Sequence, residues 1–374
     1  MNERSAFICL NLIPGVGPLK VSKMIECFGS AAAIFDQGYK ALRSVEGIGE
    51  KLANLILQGP AKYKPFEEES LAEQAGVTII SRACSQYPQL LLNIVDPPLV
   101  LYVRGQPGVL QHGNNTLAMV GSRRPSNYGV HMAQALTESA VAAQWLTVSG
   151  LAIGIDTVVH RSTVEANSAT IAVLGSGLGR LYPQENIELA RAICEKGAVI
   201  SEFPMTYPPD RRSFPMRNRI ISGLSCGTVV VEAGLKSGSL ITAGQALEQG
   251  RAVFAIPGPV DRPHSRGCHS LIRDGAVLVE SFADILDEFN NTSLFDLAAK
   301  SEIDKKCASA CTVSLQLTES EEKILQFLSQ GDASVDTIVE ELEMAIGITF
   351  ATLIEMETKR LVKPLPGKRY TLWS

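Results

Sequence analysis

The densest chemistry in this sequence lies in one run, Arg211-Arg212-Ser213-Phe214-Pro215-Met216-Arg217-Asn218-Arg219. Guanidinium groups grip phosphate oxygens through two parallel N–H bonds, and a ring among them gives a base a face to stack on. Cations for a backbone and a ring for a base are what an unpaired nucleic-acid strand requires. The competing reading is a buried Phe214 with the arginines in structural ion pairs. Interleaving with Phe214, Pro215 and Asn218 favours the first, because a merely solvated cluster has no need of them.

Four further segments have the small, polar composition of anion-binding loops: Val120-Gly121-Ser122-Arg123-Arg124, Ser149-Gly150-Leu151-Ala152-Ile153-Gly154-Ile155-Asp156, Leu174-Gly175-Ser176-Gly177-Leu178-Gly179 with Tyr182-Pro183 after it, and Lys236-Ser237-Gly238-Ser239-Leu240-Ile241-Thr242-Ala243. Glycine lets backbone approach an anion, serine donates a hydrogen bond, and arginine supplies the charge. Singly each is a weak signal; along one sheet they predict an extended rim. The predicted contacts are Gly121, Ser122, Arg123, Ser149, Gly150, Gly175, Ser176, Gly177, Ser237, Gly238 and Ser239 from the loops. Arg211, Arg212, Phe214, Arg217, Asn218 and Arg219 join them from the arginine run.

Other chemistries find less support. There is no Walker sequence, and Gly175-x-Gly177 lacks the third glycine and the downstream acid of a dinucleotide fingerprint, so NAD is disfavoured. Asp156 and His160 lie four apart, on one face of a helix, as an acid–base pair would. His264 and His269 lie near Ser265 and Cys268, without a hydrolase elbow or a metal spacing. Structural hydrogen bonding accounts better for each histidine. Glu232, after Val229-Val230-Val231, is the best carboxylate for a glycosidic or nucleotide enzyme. The expectation is a binding protein with no catalytic residue, metal or cofactor; the alternative is a nucleotide-binding enzyme or sensor of the nucleoside phosphate hydrolase type.

Short apolar runs alternating with helical stretches must position these loops. Strands are predicted at Val77–Ile80, Leu99–Arg104, Thr116–Val120, Trp145–Val148, Thr170–Leu174, Val199–Ser201, Thr228–Val231, Ala252–Ile256 and Ala276–Val279, with helices such as Gly129–Ala143, Glu185–Lys196 and Ile241–Gln249 between them. That alternation predicts an α/β class, a Rossmann-like, doubly wound and mainly parallel sheet over residues 66–289. Such sheets bind ligands beyond the C-terminal ends of their strands, where these loops fall.

Residues 1–65 hold two Gly-x-Gly turns, Ile13-Pro14-Gly15-Val16-Gly17 and Val45-Glu46-Gly47-Ile48-Gly49, each followed by helix formers. They read as a small helical domain of helix-hairpin-helix (SAM-like) type, able to grip a phosphate at a helix start or to serve packing alone. Residues 290–315 read as a linker. Residues 316–374 read as a winged helix: a capping box at Thr318 and Glu321, helices near Ser334–Leu342 and Ile346–Lys359, and a hairpin around Pro366-Gly367. Glu355 and Glu357 make base readout by that last helix improbable, while the wing from Lys363 to Arg369 suits nonspecific phosphate contact or a protein partner.

The net charge of −5 argues mildly against a polyanionic partner,. It conceals asymmetry: the run above faces only Asp210, and the tail carries Lys359, Arg360, Lys363, Lys368 and Arg369 without an acid. The eight cysteines are scattered, and Cys307 with Cys311 lacks a second pair or a nearby His, so reduced cytoplasmic thiols are expected. No secretory signal or membrane-length apolar run is apparent.

In order along the chain, Val-Gly-Ser-Arg at 120–123, Ser-Gly-Leu-Ala at 149–152, Gly-Ile-Asp at 154–156, Tyr-Pro-x-Glu-Asn at 182–186, Phe-Pro-x-Arg-Asn-Arg-Ile-Ile-Ser-Gly-Leu-Ser at 214–225, Ser-Gly-Ser-Leu-Ile-Thr-Ala at 237–243 and Val-Phe-Ala-Ile-Pro-Gly at 253–258 resemble the bacterial DNA-processing protein A family (DprA, also called Smf). The likeness is dense over residues 75–289, and the flanking parts are similar to the longer members. It implies single-stranded DNA binding, protection of incoming strands, loading of the RecA recombinase during natural transformation, and a homodimer through the Rossmann-like domain. It places DNA contacts on Arg123, on Gly175 to Gly177, on Phe214, Arg217 and Arg219, and near Ser237 to Ser239. Ile153 stands where many members have Arg, Gly179 where Asp is usual, and Gln184 where some carry a basic residue, which implies a less basic rim here.

Overall fold

The computed structural model describes residues 1–113, 115–290, 319–328, 333–342, 344, 349, 352–353, 356, 361–365 and 369–372. They belong to two compact units, Met1–Leu294 and Phe295–Ser374.

The first unit opens with α1 (Glu3–Leu12), α2 (Pro18–Phe28), α3 (Ala31–Ile34), α4 (Tyr39–Ser44), α5 (Glu50–Leu57), α6 (Gly59–Tyr63) and α7 (Pro65–Gln74). The two Gly-x-Gly turns join α1 to α2 and α4 to α5. Gly15 (φ +85°) and Gly47 (φ +83°) take the left-handed conformation at equivalent places, which a Cβ would disfavour. Val16 and Ile48 beside them are buried, and the Lys20 ammonium donates to the Gly15 carbonyl at 2.9 Å. Ile8, Leu10, Ile13, Met24 and Ile56 share one apolar cluster with Val100, Tyr102, Leu174 and Val199 of the sheet. The helices of segment 1–65 and the sheet therefore pack as one body, without a break in the core at residue 65.

The sheet contains β1 (Val77–Ser81), β2 (Val100–Gly105), β3 (Thr116–Val120), β4 (Leu146–Ser149), β5 (Thr170–Val173), β6 (Ala198–Ser201), β7 (Gly227–Val230), β8 (Ala252–Ala255) and β9 (Val277–Leu278). Each falls on a predicted apolar run. The order is β1-β2-β6-β5-β4-β3-β7-β8-β9. The pairs from β6 across to β9 are parallel, and β2 runs antiparallel to both β1 and β6. The helices are α8 (Gln89–Leu92), α9 (Asn127–Ala142), α10 (Ile155–Glu165), α11 (Ile187–Lys196), α12 (Ser213–Gly223), α13 (Gly238–Glu248) and α14 (Arg266–Arg273), then α15 over residues 282–290.

Burial on both faces explains why the strands read as unbroken apolar runs. On β3, Leu117 and Met119 cluster with Ala133, Leu136 and Val159 of α9 and α10. Ala118 and Val120 point the other way, into a cluster with Ile220, Ile221, Ala243 and Ala246 of α12 and α13. The chain runs from β3 through β4 and β5 to β6, then returns by α12 to place β7 on the other side of β3. Direction thus reverses between β3 and β7, the crevice where open α/β sheets bind ligands.

The second unit contains α16 (Glu319–Leu328), β10 (Ala333–Ser334), α17 (Val335–Glu341), β11 (Val362–Leu365) and β12 (Arg369–Leu372), with antiparallel order β10-β12-β11. The Ser334 hydroxyl caps α17 by accepting the Thr337 N–H at 3.1 Å,. Ile324, Leu328, Val335, Ile338, Leu353, Met356 and Val362 form its core, consistent with the expected winged helix. Of the helix predicted at 346–359, Thr349, Thr352, Leu353 and Met356 are described, all helical and buried. The linker stretch 291–315 with Cys307 and Cys311, the capping Thr318, Glu355, Glu357, Lys359, Arg360 and the turn 366–368 lie outside the described residues. Among the described residues no helix is long and apolar enough to cross a membrane.

Candidate nucleic-acid interface

The arginine run spans the entry to α12, and the helix sorts its members between solvent and core. Arg211 and Arg212 precede the helix and are exposed. Phe214 is half-buried, its ring lying on the backbone of Gly175, where a Cβ would come within 2.7 Å of the ring. The Arg123 guanidinium stands 5.7 Å from the Phe214 ring centre, and the Tyr182 ring lies 5.9 Å away on a tilt of 47°. Tyr182 is 47% exposed. One cation and two rings thus meet at the C-terminal ends of β3 and β5, with Arg124 and Lys236 also exposed on adjoining loops.

Arg217 and Arg219 depart from the prediction. Arg217 is 4% exposed, and its guanidinium donates to the carbonyl of Gly150 at 2.6 Å and to that of Val173. Arg219 is 6% exposed. It forms a bidentate pair with Glu202 at 2.8 and 2.7 Å and donates through Nε to Asp96 at 2.8 Å. Their charge is used inside the protein, and desolvation makes it unavailable to a strand. Arg219 thus follows the ion-pair reading, while Arg217 is buried on backbone carbonyls. Asn218 is half-buried, with its amide 3.5 Å from the Gly238 carbonyl.

The loops divide similarly. Ser149 is buried and donates to Met119 O at 2.7 Å, and Gly150 gives its N–H to Asp156 at 3.1 Å. Ser176 is buried, and its carbonyl accepts from Ser201 at 2.7 Å. The Gly177 and Gly179 N–H groups donate to Tyr207 O and Met205 O, each at 2.9 Å. The Ser149 hydroxyl and the N–H groups of Gly150 and Gly177, expected to face phosphate, are thus spent on the fold, whereas the buried Ser176 hydroxyl has no partner among the described residues. Gly150 is needed for close approach: a Cβ there would lie 2.7 Å from the Arg217 guanidinium. Gly121 likewise lies against Ile155. Ser122 is half-buried and accepts the Arg124 N–H at 3.1 Å. At the start of α13, Ser237 caps the helix by accepting from Ser239 N at 3.4 Å, Ser239 is buried, and Gly238 is exposed with open space above it.

Glu232 sits across the crevice between β3 and β7. One carboxylate oxygen accepts both the N–H and the hydroxyl of Ser126 at 3.0 Å, and the residue is 5% exposed. It ties the β3–α9 loop to β7, a structural role instead of the catalytic one considered from sequence. Asp156, His160 and Arg217 form a buried polar cluster beneath the rim. Burial pushes the Asp156 carboxyl up, with Arg217 and the N–H groups of Ala152 and Gly150 opposing. Burial pulls Arg217 down to about 10. His160, whose Nδ1 lies 2.9 Å from the Thr170 hydroxyl, is pulled from 6.5 to about 3 by burial and then by Arg217. Among the described residues no group of three or more His, Cys, Asp or Glu could hold a metal.

The His160 shift has a measurable consequence. Between pH 6.5 and about 3 the unfolded chain takes up a proton at this residue that the folded chain refuses. The associated stability is complete above pH 6.5 and is lost as pH falls, by up to about 1.4 kcal/mol per pH unit. The raised Asp156 works in the opposite sense in acid, so the comparison must isolate the histidine. His160→Gln should flatten the decline of the urea midpoint between pH 6.5 and 5; parallel curves for variant and parent would refute a buried neutral His160.

Residues 78–290 match the family model described as DNA recombination-mediator protein A. The chain belongs to this family. Residues 9–59 match a SAM-like helix-hairpin-helix tandem, and residues 310–368 match the DprA winged helix domain. Protein Smf of Synechocystis is 32% identical, over 99% of this chain and 98% of the relative. The solved structure of DNA processing protein A from Streptococcus pneumoniae aligns with TM-score 0.64 and 32% identity, covering 76% of this chain and 97% of that one. That of the Helicobacter pylori protein, reported for its unique single-stranded DNA binding mode, aligns with TM-score 0.51 and 27% identity, covering 59% and 96%. Tyr182, three residues beyond Gly179, and Lys236, two before α13, are exposed beside the predicted contacts but are not among them.

Proposed function

We infer that this member of the family binds single-stranded DNA along the C-terminal rim of its sheet and acts as a recombination mediator without doing chemistry on the strand. The observation that carries this is Phe214, half-buried on Gly175 and flanked by the Tyr182 ring and the Arg123 guanidinium. Rings at that spacing suit stacked bases, and Arg123, Arg124, Arg211, Arg212 and Lys236 supply exposed cations for the backbone,. The single-strand binding reported for the Helicobacter pylori relative supports it. Protection of incoming DNA, delivery to RecA during natural transformation and a cytoplasmic setting complete the proposal, and these rest on the family resemblance. Homodimerisation through the Rossmann-like domain gains support from α12 and α13, which expose Met216, Ile241 and Leu247 at 53%, 45% and 57%.

Anisotropy titration with labelled oligonucleotides, single- and double-stranded and of increasing length, tests the proposal. Four to six phosphate contacts imply roughly 50- to 300-fold weaker binding between about 50 and 200 mM salt. Arg211→Ala with Arg212→Ala should reduce the magnitude of the log–log salt slope by about 1.4, two contacts at about 0.7 each. Equal affinity for a mononucleotide and for long strands would instead favour a nucleotide-binding enzyme or sensor.

A further inference from the structure

Beside Tyr182 opens a groove of about 520 Å³, bordered by α11, the end of β2 and the segment that follows β5. That volume lies within the range of small-ligand sites. Its lining includes the guanidinium-bearing Arg104, Arg180 and Arg191, with Leu178 and Ile187 among the apolar residues, and it contains no carboxylate. Such an arrangement has a place for a base against hydrocarbon and for phosphates on guanidinium groups.

The three charges are weakly committed within the protein. Among the described residues Arg104 makes only long contacts to neutral carbonyls, 3.5 Å to Leu178 O and 3.4 Å to Ala75 O. Arg180 is exposed and makes no ion pair among the described residues. Arg191 pairs with Glu188 at 2.6 Å, but both side chains are largely exposed, at 72% and 81%. Pairs of that kind contribute little, so a phosphate can compete for the cation. Tyr182 provides continuity, since it lines the groove and also stands 5.9 Å from the Phe214 ring. The groove therefore begins where the candidate strand site ends.

We propose that the groove is a second segment of the strand path, taking the nucleotides next to the one stacked on Phe214, with their phosphates on Arg180, Arg191 and Arg104. This rests on the single-strand reading above and adds to it a direction of travel, from Arg123 past Tyr182 towards α11. Among surface features of the described residues it is distinguished by joining positive charge, apolar depth and contact with the stacking site.

The test uses the full chain and labelled oligo-dT of about 4 to 16 nucleotides, the span of known single-strand sites. Arg180→Ala with Arg191→Ala is compared with the parent, and thermal melts check that folding is kept. The shortest strands should bind both proteins alike. The longest should bind the double variant about 3- to 10-fold more weakly, with a salt slope smaller in magnitude by about 1.4. A variant that follows the parent at every length overturns the groove while leaving the Phe214 site standing. Equal weakening at all lengths also overturns it, because the arginines would then act only as a general field. Absence of single-strand binding by the parent removes the underlying functional reading as well.

Discussion

Arg219→Ala should lower the unfolding free energy by about 3–5 kcal/mol, the cost typical of breaking a buried ion pair from one side. The Arg219 side chain is 8% exposed and Glu202 opposite it 10%, so removal leaves a carboxylate with little water to replace the guanidinium. Asp96, at 39% exposure, can be solvated and contributes less to the loss. The check is a urea titration in which the midpoint falls while the slope of free energy against denaturant stays constant. Replacing Arg219 and Glu202 together with methionine should recover much of the deficit, because no charge is then stranded. Both versions should keep the salt dependence of strand binding. An unchanged midpoint together with a flatter salt slope would return Arg219 to the DNA surface.

The second large effect concerns Phe214. Its truncation to alanine should weaken single-strand binding by about 1–3 kcal/mol, roughly 5- to 150-fold in affinity, and leave the salt slope intact because no charge is removed. Phe214 also packs on Gly175, so alanine will cost some stability too. Phe214→Leu separates the two contributions: leucine restores apolar contact with the glycine backbone but offers no flat π-face. Leu should therefore melt closer to the parent than Ala does, yet bind nearly as weakly as Ala. Trp should retain affinity if the space beside Tyr182 admits the larger ring. Leucine binding as tightly as phenylalanine would show that the ring only packs.

Both residues belong to one run whose composition is plain in the sequence but whose burial is not. The alternation of apolar runs with helical stretches determined the α/β class, because a strand buried on both faces must be apolar along its length. The same pattern located the loops at the C-terminal ends of the strands, and the motif series identified the family. Phe214 stands out in the sequence as a ring among cations, but its half-buried seat on Gly175 does not. Which arginines beside it reach solvent is not legible there either. That depends on where α12 begins: Arg211 and Arg212 precede it, while Phe214 and Arg217, three apart, share a face turned to the sheet,. It also depends on partners remote in sequence, since Glu202 and Asp96 lie 17 and 123 positions from Arg219. Composition fixes how many charges a segment carries. Only the packing of α12 against β4, β5 and the Asp96 loop decided which of them are desolvated and neutralised within the fold, and which remain at the surface with unspent charge.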